Sequence, residues 1–112
     1  MPERRKEVRT PVPHSLEVKD QGDGAVVGTL ANISSGGLML LAQRYIEPGR
    51  VLQFSIPIPD ELISSETDLT VGVESVWCEE DGLGRQHWCG FQIIDYPPGA
   101  AELLERLIAE FS

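Results

Sequence analysis

Apolar side chains recur along this chain with a period of two over most of its length, and the period changes to that of a helix only at the end. The clearest stretch is Leu52, Phe54, Ile56 and Ile58, which alternate with Val51, Gln53, Ser55 and Pro57, as expected of a half-buried strand. Pro57 has no amide proton to give to a ladder, so this strand is expected to meet an edge or a bulge there. Val12, Leu16 and Val18 share one parity with His14 as a polar member, and predict a first strand over Val12 to Val18. Gln21-Gly22-Asp23-Gly24 is a turn cluster, after which Ala25 to Ile33 reads as a second strand. Gly36-Gly37 interrupts the pattern, Leu38 to Leu41 resumes it, and Glu47-Pro48-Gly49 is another turn signal. After a polar connection from Pro59 to Asp68, Leu69, Val71 and Val73 point one way while Val76 falls on the opposite parity. That slip, across Glu74-Ser75, predicts a β-bulge there. Glu79 to Gln86 reads as a hairpin loop, with a return strand from His87 to Ile94 carrying Cys89, Phe91 and Ile93 on one face.

Beyond Pro97-Pro98-Gly99, Leu104, Leu107, Ile108 and Phe111 stand at i, i+3, i+4 and i+7, with Glu102, Glu105, Arg106 and Glu110 opposite. This predicts an amphipathic helix of about three turns lying over an open end or face of the sheet. About six strands followed by one helix give a mainly β fold, a small six-stranded antiparallel barrel with a C-terminal α-helix as lid.

A length of 112 residues suits a single domain. It divides into an arginine-rich arm expected to be flexible (1–11), a barrel (12–97) and the terminal helix (98–112). No apolar run nears the roughly 18 residues a bilayer span requires, and the basic N-terminus is not followed by the apolar core of a secretory signal. A cytoplasmic protein without membrane insertion is expected. Cys78 and Cys89 are too few and too poorly spaced for a disulfide scaffold or a zinc site, and no metal is expected. A hairpin can bring them near one another, but in a reducing compartment two semi-buried thiols are the simpler reading.

Charge changes the picture more. The formal net charge is −9, but residues 1–9 carry Arg4, Arg5, Lys6 and Arg9 against Glu3 and Glu7. The other 103 residues hold five Lys/Arg against 16 Asp/Glu. An acidic body of this kind repels DNA and RNA. A short basic segment on it suits a compact anion, or else rests on its own acidic surface; charge alone leaves both open. Enzyme readings fail: His14 and His87 are far apart, each inside a predicted strand, Ser34-Ser35 has no nucleophile elbow around it, and the acidic pairs sit in solvated loops.

Two short motifs remain. Arg4-Arg5-Lys6-Glu7-Val8-Arg9 is an R-R-x-x-x-R string just ahead of the first strand, and guanidinium groups match phosphate oxygens in pairs and stack on purines. Asn32-Ile33-Ser34-Ser35-Gly36-Gly37 is an N-x-S-x-x-G turn between two strands. Asn and Ser bond locally or to a ligand edge, and the glycines permit positive φ or a close backbone approach. Each motif alone is also compatible with an ordinary basic terminus or tight turn. Together, about 25 residues apart in a small barrel, they resemble the PilZ domain family, in which the second motif begins with Asp or Asn. The resemblance extends through Val76-Trp77, Gly90-Phe91-Gln92-Ile93 and the terminal helix.

The resemblance implies a six-stranded barrel that binds cyclic di-GMP without catalysing a reaction. It implies that Arg5 and Arg9 hold phosphates and guanine, and that Asn32, Ser34 and Gly37 meet the guanine edge. Arg4 would then help to hold an intercalated pair of ligands, two nucleotides per chain. Trp77, expected at the end of its strand, is a candidate to stack on guanine or on an arginine, and is equally readable as a rim residue. On this view ligand draws the arm onto the barrel and a partner protein, not identified by the sequence, reads the changed surface. The alternative is a PilZ-like interaction module that does not bind nucleotide.

Overall fold

The alternation along the chain is the inside–outside alternation of a closed wall. A computed structural model describes residues 10–11, 16–58, 68–82 and 84–111, with the side chains of 10, 11, 110 and 111 left aside. Its elements are β1 (Thr10–Pro11), β2 (Glu17–Asp20), β3 (Val26–Ile33), β4 (Gly37–Ala42), β5 (Val51–Pro57), β6 (Asp68–Glu80), β7 (His87–Asp95) and α1 (Ala100–Phe111). The antiparallel order β2-β5-β6-β7-β4-β3 closes on itself through β3–β2 pairing, giving a six-stranded barrel. β1 does not add a seventh stave. Thr10 and Pro11, which sequence assigned to the arm, pair with Ile33 and Asn32 on the edge of β3 that β2 also uses, so β1 and β2 follow one another along that edge.

The barrel interior holds the residues that the period-two pattern selected. Phe54, Ile56, Val71, Val73, Leu38, Leu40, Leu30 and Val18 are all nearly inaccessible. Phe54 and Phe91 meet edge to face with ring centroids 4.8 Å apart, the arrangement aromatic quadrupoles favour. Leu16 is buried as expected; Val12 and His14 lie outside the described residues. Pro57 is the last residue of β5, opposite Asp68, a terminal position where its missing donor is tolerated.

Closing six strands around so small a core needs bent strands, and register shifts provide the bends. β6 shifts between Gly72 and Val73 and again between Ser75 and Trp77, leaving Val76 as the unpaired extra residue. The expected bulge is present but falls after Glu74-Ser75, which pair in register with Gln92 and Phe91, and it turns Val76 out to solvent. Ser75, one of two buried polar residues among those described, pins the bulge: its hydroxyl donates to the Glu47 carbonyl at 2.6 Å and accepts from the Arg50 amide at 2.9 Å. α1 buries Ala100, Leu104 and Leu107 and lies against β6 and β1. Gly99, at φ +84°, makes the turn into it. Among the described residues no helix is long and apolar enough to cross a membrane.

Candidate functional site

The strand registers bring residues from distant parts of the sequence into one transverse row. Asn32 on β3 is opposite Met39 on β4, Met39 is opposite Gly90 on β7, and Gly90 is opposite Trp77 on β6. On the other side Asn32 is opposite Pro11 of β1. Met39 stands between the buried Leu38 and Leu40, so it faces outward. The row therefore runs across the outer wall, with Asn32 near one end and Trp77 at the other.

Trp77 reaches the row by lying on Gly90. A Cβ at Gly90 would fall 2.5 Å from Trp77 Cε2 and 3.0 Å from Cδ1, and closer still to Nε1. The indole thus covers the space that a side chain at 90 would occupy, and 37% of it stays exposed. Sequence placed Trp77 at a strand end. Instead β6 continues to Glu80, because the hairpin turns only at Asp81 to Gln86, where the Asp81 amide donates to the Gln86 carbonyl at 3.0 Å. Trp88, on β7, is equally exposed and pairs with Leu41 and Glu79 in the next outward row.

The N-x-S-x-x-G segment forms the corner between β3 and β4. Asn32 is half-buried, with its amide nitrogen 3.9 Å from the Met39 sulfur, a weak acceptor. Ser34 is only 1% exposed. Its amide and its hydroxyl both donate to the Gly37 carbonyl, at 2.8 and 3.3 Å, so it shapes the corner from inside. Tyr96 clamps the corner from outside by donating its hydroxyl to the Ser35 carbonyl. Positive φ, one of the two reasons for glycine, does not apply at Gly37. Close approach does: a Cβ there would sit 2.5 Å from the Phe91 carbonyl oxygen.

Gly36, Gly37, Val76, Trp77, Gly90, Phe91 and Gln92 line a groove of about 280 Å³ beside this row. That is just under the range of about 300–1,000 Å³ typical of a complete small-molecule pocket. The described lining contains no Lys or Arg. Among the described residues no group of three or more His, Cys, Asp or Glu is placed to hold a metal ion. A larger cavity of about 380 Å³ lies away from the row, between Leu16, Glu17, Lys19, Ser55, Pro57 and Asp68.

Of the residues singled out in sequence, Asn32 and Trp77 share the outward row, and Ser34 and Gly37 build the corner at its edge. Arg4, Arg5 and Arg9 lie outside the described residues. Sequence reading missed Met39 and the role of Gly90. A glycine inside a strand is a signal of close approach, and Met39 has the outward parity of its strand; neither shows which residue it faces.

No curated protein is matched at the level of sequence. Among solved structures, the Bacillus subtilis inhibitor of motility (MotI/DgrA) is 20% identical with a TM-score of 0.75, over 96% of this chain and 50% of that one. The PilZ domain of YcgR from Escherichia coli, solved with c-di-GMP, is 16% identical with a TM-score of 0.74, over 97% of this chain and 92% of that one. YcgR from E. coli in complex with c-di-GMP is also 16% identical, with a TM-score of 0.68, over 96% of this chain and 46% of that one. This chain thus spans about half the length of MotI and of the longer YcgR structure. The family model for the PilZ domain matches residues 3–110, and the chain belongs to the PilZ domain family.

Proposed function

We propose that this chain is a cyclic di-GMP receptor in which the arginine-rich N-terminal segment closes over the outward row from Asn32 to Trp77. The observation that carries this reading is the placement of β1. Thr10 pairs with Ile33 and Pro11 with Asn32, so the segment ending in Arg9 is attached at the corner that begins the row. A ligand with two phosphodiesters needs cations, and the described groove lining has none. Arg4, Arg5, Lys6 and Arg9 are four of the nine Lys/Arg in the chain, and they are the ones attached here. The groove is also small for a complete ligand site, which fits a site whose second wall is the arm.

In this reading Arg5 and Arg9 hold phosphate and guanine through paired, charge-assisted hydrogen bonds. Asn32 offers an amide to a guanine edge, and Trp77 offers an indole face, worth about 1–3 kcal/mol per stacked base. Ser34 and Gly37 act by setting the corner that presents Asn32. Arg4 supports a second, intercalated nucleotide, giving two per chain. The YcgR structures, which contain c-di-GMP, support the ligand class. Arm closure changes the outer surface of a cytoplasmic module, and a partner protein reads that change.

Amide hydrogen exchange of residues 1–11 tests the mechanism. Saturating cyclic di-GMP is expected to slow exchange there, since ordering the arm costs about 1–2 kcal/mol per residue that ligand contacts must exceed. Identical exchange with and without a bound nucleotide would refute arm closure.

A further inference from the structure

Cys78 and Cys89 are partners on a single rung of the β6–β7 hairpin. Their sulfur atoms are 2.6 Å apart, and both are free thiols. That separation is about half an ångström longer than a disulfide bond of about 2.05 Å. Directly opposed residues of an antiparallel pair have Cα atoms about 4.5–5.5 Å apart, inside the range of about 4.4–6.8 Å that a disulfide spans. Bonding therefore asks for a small side-chain adjustment and no refolding. The two thiols also differ. Cys89 is fully buried and Cys78 is half-buried, with the Ile46 amide donating to its sulfur at 3.4 Å.

We propose that Cys78 and Cys89 form a redox modification site: a hydroperoxide converts them to an intramolecular disulfide that staples β6 to β7 beside the seat of Trp77. The chemistry balances. The Cys78 sulfur, the accessible one, attacks a peroxide oxygen; the O–O bond breaks, leaving a sulfenic acid on Cys78 and releasing water. The Cys89 sulfur then attacks the Cys78 sulfur, and the hydroxyl leaves as a second water with the Cys89 proton. Two thiols and one hydrogen peroxide give one disulfide and two waters, the sulfurs losing the two electrons that peroxide gains. Burial above all, then the hydrogen bond and charge of Cys78, push the Cys89 thiol up to about 12, which leaves the first attack to Cys78. The 2.6 Å contact with the Cys78 sulfur is what brings Cys89 to the resolving step.

The adjacent rung is Trp77 opposite Gly90, so a covalent link on the Cys78–Cys89 rung fixes the spacing of the two strands beneath the indole. Intracellular disulfides, where they occur, are commonly transient and sensory. The bearing of this site on nucleotide binding rests on the receptor reading, and the test is therefore read without nucleotide. The full chain, with Trp88→Phe so that Trp77 alone reports, is treated with hydrogen peroxide. The expected result is loss of both titratable thiols, a monomer lighter by two hydrogens, a Cys78–Cys89 linked peptide, and reversal by dithiothreitol. Tm is expected to rise by about 5–10 °C, and Trp77 emission to shift. In Cys89→Ala, dimedone is expected to trap a sulfenic acid at Cys78; in Cys78→Ser, Cys89 is expected to stay reduced while the protein is folded. Persistence of both thiols, intermolecular dimers, or separate over-oxidation of the two cysteines would overturn the site. A disulfide that leaves Trp77 emission unchanged would overturn its coupling to the row.

Discussion

Gly90→Ala tests the seat of Trp77, because two opposing effects of known size meet there. At an unobstructed strand position, replacing glycine by alanine stabilises a protein by about 0.5–1 kcal/mol, since the unfolded chain loses freedom. At Gly90 the new methyl would lie 2.5 Å from Trp77 Cε2. Atoms at rest stand about 3.5–4.0 Å apart, so the indole must retreat by about 1 Å or more. Trp77 has solvent on its outer side, so it lifts away and the backbone stays in place. If lifting exposes about 40–80 Å² of an aromatic surface of about 150–250 Å², the loss at about 25 cal/mol/Å² is about 1–2 kcal/mol. The net expectation is a destabilisation of about 0.5–1 kcal/mol, or a Tm lower by about 2–5 °C. Urea titration is expected to show a lower midpoint at unchanged slope, with Trp77 emission shifted to the red in a Trp88→Phe background. The background is needed because Trp88, only one row away, is no neutral control. A variant that is more stable than the parent, with the same emission, would refute the packing of Trp77 on Gly90.

The same reasoning orders a second glycine. Gly37→Ala places its methyl 2.5 Å from the Phe91 carbonyl oxygen; backbone cannot swing aside, so a cost of about 2–3 kcal/mol is expected, larger than that at Gly90, and chemical denaturation checks the order. Ser75→Ala removes the hydroxyl bonds to Glu47 and Arg50 and leaves the backbone pair between Ser75 and residues 49 and 50, and is expected to cost about 1–3 kcal/mol in the same assay. Stability should also depend on alkaline pH through Cys89. Its thiol titrates near 9.0 when unfolded and is pushed up to about 12 in the fold. The folded state then holds a proton that the unfolded state releases, so the contribution is complete below pH 9 and is lost as pH rises toward 12. Unfolding curves at pH 8 and pH 10 are expected to show a fall in the parent that is smaller in Cys89→Ala; equal falls would contradict it.

Much of the barrel was legible because burial in a small closed sheet is decided locally. Phe54, Ile56 and Ile58 alternate with polar neighbours because the wall has one wet face, and Val76 breaks parity because a strand bent around the core must hold an extra residue. The terminal helix showed itself by a change of period for a similar reason, since Leu104 and Leu107 must face the barrel together. The candidate row from Asn32 to Trp77 was not legible. Its alignment depends on register across four strands, and two irregularities set that register: Ala31 is passed over between Leu30 and Asn32, and Val76 between Ser75 and Trp77. A shift of one residue at either would turn Asn32 or Trp77 inward. The hairpin placed the two cysteines near each other in sequence terms, but the loop from Asp81 to Gln86 decides that they share a rung. At Gly37 sequence offered conformational freedom and close approach as equal reasons; the proximity of β7 selects the second.

Calorimetric titration of the chain with cyclic di-GMP, beside an Arg5→Ala/Arg9→Ala variant, tests the central claim most directly. The parent is expected to bind saturably at micromolar concentration or tighter, with two nucleotides per chain, and the variant to show no binding while keeping the parent's Tm. Absence of binding by the parent would contradict the receptor assignment. Equal binding by parent and variant would contradict the assignment of the phosphates to the arginine arm.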